Sequence, residues 1–561
     1  MGEERRAGAA GGGMREKSRT PQLADGYAPS ERIRLMASYN PRAYRTRRPA
    51  QQRRRADRQK RHSVKARARR QRSAQADSNR QSLLRLCDWL LPDDAIFSQV
   101  KLHGNTKWLP RCLVWLALCW CLVDAKHLTD AFEQAKNLCS SLLPCTLTTY
   151  QGFMYALVGA TPRLLPLLRR ALHQRMQQIA SPHWRIDGWL PIAFDGSRST
   201  APRTKSNEDA FCAKDYGKGK TARYRKKKSK GMRRLNNQKN KAQPQEPQAW
   251  ITLMWHMGLR LPWTWRLGPS NSSERGHVMD MVQKEEFPED TLFCGDAGFV
   301  GYPLWSCLAN KDHHFLVRVG ANVNLLSEEN EWVLDLRPGG EYAVLCWPKE
   351  AISTKKPPLR LRLLRVEVGK TQMWLLTNVL DKERLTAEMA SKFYRLRWGI
   401  EVEFRGLKQT LDRASLRSHN DKRVLVELEW SILAMAVVQL LALKEQQQGR
   451  AEPVQQAADR AEGGRAEPVQ QAADPGKRSL AQAVRALREC LRDLDEVPRP
   501  GEDLVSKLRA AVTDDYIRKS SKKARYRPPN PDKKPLGNPE VRPLDPKERL
   551  ELQTLFPAIP A

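Results

Sequence analysis

Apolar positions follow two rhythms along the chain. Between residues 79 and 180 they recur three or four apart, through LLRLCDWLL, CLVWLALCWCLV (112–123), DAFEQAKNLCSSLL and TLTTYQGFMYAL, whose leading threonines suit an N-cap. This spacing predicts a helical domain over 79–183, in which a helix-turn-helix that binds DNA ends and a plain helical support are both open readings. From residue 184 the rhythm shortens. WLPIAFDGS (189–197) reads as a strand ending at Asp195, QAWITLMWHMGLRLPWTWRLG (248–268) as a hairpin, and SSERGHVMDMVQK (272–284) as a serine-capped helix. TLFCGDAGF (291–299) is a short apolar strand ending at Asp296, and HHFLVRVGANVNLL, EYAVLCW, LRLRLLRVEV and MWLLTNV add further strands over 313–379. In 359–365 the alternation of Leu and Arg predicts one wet and one dry face. Helical spacing then returns in YRLRWGIEVEFRGLK (394–408) and ILAMAVVQLLAL (432–443). The mixture predicts an α/β fold, with a catalytic-size domain over 184–447.

The remaining segments have other compositions. Residues 1–78 are rich in Arg, Gln and Ala and densest in RRRADRQKRHSVKARARRQR (53–72), which predicts a disordered basic tail. A lysine-rich insertion at 203–245 reads as a solvated loop. GRAEPVQQAAD occurs at 449–459 and again at 464–474, so 448–478 reads as a repeat-containing linker, and two units are too few for a solenoid. The end, 479–561, reads as a helical segment and a second basic tail. Lys and Arg total 98 against 62 Asp and Glu, a formal charge of +36. Such an excess points to a polyanion, and nucleic acid is favoured over a membrane because neither apolar run looks long enough to span a bilayer. The 11 scattered cysteines form no CxxC pair, and no secretory signal opens the chain, which fits a cytosolic setting.

Two carboxylates stand where buried strands are expected to end, each followed by a small residue: Asp195 by Gly196 and Asp296 by Ala297. Such a carboxylate is costly unless compensated, by a metal ion or, alternatively, as a turn or cap residue. At about 100° per residue, Leu396, Ile400, Phe404, Leu407 and Leu411 make a core stripe in the helix over 394–408. Tyr394, Arg397, Glu401 and Lys408 share an adjacent arc of roughly 60°. Gly399 and Gly406 fall on another face, where close approach of a backbone or of DNA would explain them. Three carboxylates in one site need divalent cations, and oxygen ligands suit two Mg²⁺ or Mn²⁺ ions in phosphoryl transfer, with Arg397 and Lys408 gripping phosphates. Asp187 and Glu403 are rival acids. Asp187 precedes its strand, and Glu403 points roughly 200° from Glu401.

Tyr394, Arg397, Glu401 and Lys408, separated by two, three and six residues, reproduce the Tyr-Arg-Glu-Lys signature, and the chain resembles insertion-sequence-four type DDE transposases over about 189–443. The resemblance implies a ribonuclease-H-like core with the triad Asp195, Asp296 and Glu401, and a β-rich insertion at 310–370. It implies DNA cleavage at transposon ends and transfer of the freed 3′ hydroxyl to target DNA, through a hairpin whose phosphates Tyr394, Arg397 and Lys408 would contact. It also places Trp374 where a relative stacks a tryptophan on a flipped base, although a tryptophan on an apolar strand is more often core. Synapsis of two ends implies a homodimer on DNA, and the family implies a cytoplasmic, nucleoid-associated bacterial protein with no membrane partner. Two other classes fit the charge: a decayed copy that only binds DNA, and an RNA-binding protein. Neither requires carboxylates at the mouths of buried strands.

Overall fold

A computed structural model describes residues 78–556 apart from 93–94, 99, 101–108, 143–148, 180–181, 213–245, 328–339, 369–370, 459–473 and 514–535. Nearly all of the N-terminal basic tail, most of the lysine-rich insertion, the second copy of the repeat up to residue 473 and the basic run 519–534 lie outside the described residues.

Ten strands form one sheet in the order β10-β6-β7-β8-β9-β5-β4-β1-β2-β3. They are β1 (Leu190–Thr200), β2 (Gln248–His256), β3 (Leu261–Gly268), β4 (Thr291–Gly295), β5 (His314–Val319), β6 (Asn324–Ser327), β7 (Glu341–Cys346), β8 (Leu359–Val368), β9 (Thr371–Thr377) and β10 (Glu540–Pro543). The α/β expectation is met. β1, β2 and β3 form an antiparallel meander, and β4 and β5 continue from β1 in parallel, after crossovers that carry helices Glu274–Lys284 and Tyr302–Ala309. Parallel neighbours require such crossovers, and helices on the sheet explain why β4 is buried at every position.

The expectation that β1 stops at Asp195 is corrected. The strand runs on to Thr200 because β2 keeps pairing with it, from Ile192 opposite His256 to Thr200 opposite Gln248. β4, by contrast, leaves β1 after Ala193 pairs with Cys294. The wet and dry faces expected for β8 are also corrected, since Arg362 is buried. Its guanidinium donates to the Leu385 carbonyl and lies 3.8 Å from Glu341, so partners supplied by neighbouring segments offset the burial.

Helices Pro110–Leu122 and Tyr150–Ile179 pack against the long helix Asp421–Ala458, which also touches β3. The described residues fold as one compact unit with a continuous apolar core. The span Asp421–Gln448 is long and apolar enough to cross a membrane by length and composition, which corrects the expectation that no run qualifies, yet 89% of its apolar window is buried inside the protein. Buried hydrogen bonds fix it there: Trp430 Nε1 donates to Thr161 Oγ1 at 2.9 Å, and the Glu427 carboxylate accepts from Ser418 N at 3.0 Å and Ser418 Oγ at 2.7 Å. The helix continues through the first copy of the repeat to Ala458, where a loop was expected. Its Ala, Gln and Glu content favours helix there despite Pro453. After residue 535 the chain returns to the sheet as β10, parallel to β6.

Candidate active site

The register of the sheet builds the site. β1 and β4 pair from Leu190 opposite Thr291 to Ala193 opposite Cys294, and the same register carried two residues further sets Asp195 beside Asp296. Adjacent strands are about 4.8 Å apart, so two carboxylates emerge together at the point where β4 ends. Asp195 Oδ1 accepts from the Gly196 N–H at 2.8 Å, and Asp296 Oδ1 accepts from the Gly298 N–H at 2.8 Å. Each carboxylate is therefore held by a backbone N–H one or two residues further on.

The third carboxylate arrives on helices that cross β1. The regular helix expected over 394–408 is three pieces: Ala387–Arg397, Gly399–Arg405 and a π-helical turn, Gly406–Thr410. At the joint, Trp398 N bonds the Arg395 carbonyl and Glu401 N bonds the Trp398 carbonyl, both at 3.2 Å and three residues apart, so the backbone overwinds. The π turn then underwinds it. Uniform rotation of 100° per residue thus does not hold across the signature.

Packing explains the joint. A Cβ on Gly399 would fall within the Trp255 indole, and a Cβ on Gly406 would lie 2.6 Å from Leu480 Cδ2. The close approach expected at these glycines is made to side chains of the protein, neither to a backbone nor to DNA.

Arg397 links the elements. Its guanidinium is almost wholly buried, with Nη1 3.8 Å from Asp195 Oδ2 and Nη2 3.9 Å from Glu401 Oε1. Nε and Nη1 have no hydrogen-bond partner. The Asp195 carboxyl is pushed up to about 6, chiefly by burial and further by Asp296 and Glu401, while the Gly196 N–H and Arg397 oppose the rise. This acidic centre is short of positive charge. Among the described residues no three His, Cys, Asp or Glu side chains stand close enough to hold a metal ion, and Arg397 provides the counter-charge between Asp195 and Glu401. The donors are nonetheless all carboxylate oxygens, the chemistry that hard divalent cations select.

The other residues expected at the site are distributed unevenly. Tyr394 is 2% exposed, and burial raises its phenol against the opposing pull of Arg397 and Arg318, so it faces inward beside Asp296. Lys408 is half-buried on the π turn, its ammonium pulled down by burial and by Arg198. Trp374 is 4% exposed on β9, its Nε1 donating to Asn538 Oδ1 at 3.0 Å. Of the rival acids, Asp187 pairs with Lys392 at 2.7 Å, and Glu403 is buried, accepting from Gln439 Nε2 at 2.6 Å.

Two residues at the site had no signal of their own in the sequence. Glu274 opens helix Glu274–Lys284, where an acid reads simply as a favourable first-turn charge. Here it lies against Gly196, and its carboxyl is pushed up to about 7 by burial, then by Asp195 and Asp296. A Cβ on Gly196 would overlap the Glu274 carboxylate, so the small residue after Asp195 makes room for a fourth acid. Arg198, further along β1, sets a second cation against Lys408. Gly196→Ala is expected to lower stability by about 1 kcal/mol, and Glu274→Ala in the same chain to restore it. Thermal melts of the two variants test this, and a double variant as unstable as the single one would place the strain elsewhere.

Residues 191–438, which contain all three carboxylates of the triad, match the family model for the transposase DDE domain. Over 372 residues the chain is 25% identical to the transposase InsG for insertion sequence element IS4 of Escherichia coli (strain K12), covering 64% of this chain and 76% of that protein. The matches mark residues 191–438 as a transposase DDE domain of the insertion-sequence-four type. A solved piggyBac transposase synaptic complex with hairpin DNA also matches this transposase, with a TM-score of 0.34 and 10% identity, over 78% of this chain and 86% of that one. The DDE domain of the transposase thus begins inside β1, four residues before Asp195, and ends within the long helix.

Proposed function

We propose that this transposase cuts DNA at transposon ends by metal-assisted phosphoryl transfer and joins the freed 3′ hydroxyl to target DNA, in a cut-and-paste reaction. The observation that carries the reading is the register that brings Asp195 and Asp296 out side by side, with Glu401 tied to them through Arg397. The order β3-β2-β1-β4-β5, antiparallel through the first three strands and parallel beyond, supports a ribonuclease-H-like core, with β6 to β9 as its β-rich insertion. Asp195, Asp296 and Glu401 would hold two Mg²⁺ or Mn²⁺ ions, which when bound activate the attacking oxygen and stabilise the leaving one. Arg397 would turn its unpartnered nitrogens to the phosphate as the ions take over its role as counter-charge. Lys408 and Arg198 form a cationic pair suited to the adjoining phosphate. Tyr394 would hold Arg397 and Arg318 in position from beneath. Two copies would act together on a pair of ends.

The test is strand nicking of a duplex carrying the element's own ends. Nicks are expected with Mg²⁺ or Mn²⁺ and none with chelator. Tight binding without nicking in either metal would instead identify a copy that only binds DNA.

A further inference from the structure

The acidic centre holds one carboxylate more than the chemistry above uses. Glu274 opens helix Glu274–Lys284, where an acid ordinarily serves the free N–H groups of the first turn. Ser273 does that instead, its Oγ accepting from the Gly276 N–H at 3.1 Å. The Glu274 carboxylate lies against Gly196, the residue after Asp195, so closely that a Cβ there would overlap Oε1.

The placement is fixed from two sides. The helix packs against β1, β2 and β3, and Arg275 Nη1 donates to the Val300 carbonyl at 2.7 Å, four residues past Asp296. The start of the helix is therefore tied to both segments that carry the paired aspartates. Among the described residues, however, the half-buried Glu274 carboxylate has no hydrogen-bond or ion-pair partner of its own. Asp195 and Asp296 both act on it in the unfavourable direction, and Arg198 opposes them. Such an arrangement is costly unless positive charge stands among the acids. Arg397 supplies that charge to Asp195 and Glu401, and no ion pair supplies it to Glu274. A divalent cation would, because carboxylates that repel one another become joint ligands around it.

We propose that Glu274 is a further oxygen ligand for the divalent cations of the acidic centre, sharing them with Asp195 and Asp296. The proposal rests on the transposase reading. It gives Gly196 a purpose, since any larger residue would push the fourth carboxylate away from the other two.

The experiment uses the full chain and Mn²⁺, with binding read by electron paramagnetic resonance and not by nicking. Without metal, Glu274→Gln is expected to melt no lower than the natural protein, because it removes a repulsion. It is expected to bind Mn²⁺ about 10- to 100-fold more weakly, so that added Mn²⁺ raises its Tm less. In Glu274→His, the spin echo of bound Mn²⁺ is expected to show a nitrogen coupling that the natural protein lacks. Mn²⁺ binding by Glu274→Gln at natural strength, where Asp195→Asn loses it, would overturn the proposal and leave the transposase reading standing. Weaker binding in Glu274→Gln with no nitrogen coupling in Glu274→His would reduce Glu274 to a neighbouring charge, which also overturns it. If the natural protein binds no Mn²⁺, alone or with its end duplex, the metal-assisted reading and the proposal fall together.

Discussion

Glu401→Gln is expected to abolish metal-dependent nicking, by ~10³-fold or more, while the protein folds and binds DNA as before. Glu401 is 43% exposed and faces the buried Arg397 one turn earlier at 3.9 Å, a long contact screened by solvent on the glutamate side and contributing at most a few tenths of a kcal/mol to stability. Removing its charge therefore barely disturbs the fold. Glutamine fills the same volume and raises the formal charge of the chain by one, so attraction to a polyanion is undiminished. In the proposed reaction the substitution removes a charged oxygen ligand, and a loss of ~10³ corresponds to roughly 4 kcal/mol of transition-state stabilisation. Nicking and gel-shift measurements on the same preparation check both halves. A variant that nicks at the natural rate would remove Glu401 from the catalytic set.

Gly399→Ala should be the most damaging small substitution near the site. The added Cβ would fall within the Trp255 indole, and that ring, 1% exposed on β2, has no room to yield. Overpacking of this kind costs about 1–3 kcal/mol. The more telling effect is geometric, because Glu401 lies two residues further along the displaced helix. A shift of about 1 Å is enough to lower the rate ~10²-fold. Thermal melts paired with nicking rates test the prediction, and Trp255→Leu in the same chain is expected to recover part of both losses. An alanine variant with natural stability and rate would show that the joint does not depend on this contact.

How much of this was legible in the sequence depended on whether the cause was local. The β2–β3 hairpin, the Ser273-capped helix and the buried helix Pro110–Leu122 follow from apolar spacing and cap chemistry, which act over a few residues. Asp195 and Asp296 stood out because strands this apolar have no ordinary use for a carboxylate. The continuation of β1 to Thr200 was hidden, since it depends on a partner strand 50 residues away. The broken helix was hidden too. Trp255 dictates the joint at Gly399, and nothing between 394 and 408 shows that this tryptophan is there. Glu274 illustrates the limit most clearly: it sits in a conventional helix start, and only its placement against Gly196 reveals it as part of the acidic centre. Burial of Arg362 and the return of β10 to the sheet are likewise long-range events with no local mark.

The central position of helix Asp421–Ala458 has a consequence for how the protein must be made. Its partners Pro110–Leu122, Tyr150–Ile179 and β3 all leave the ribosome before it does. Helix Pro110–Leu122, apolar along nearly its whole circumference, waits for about 300 further residues, on the order of 15–60 s at ordinary rates of translation. During that interval the unfinished chain displays a greasy surface that chaperones must shield. A chain stopped between residues 122 and 421 therefore carries this helix without the partner that covers it.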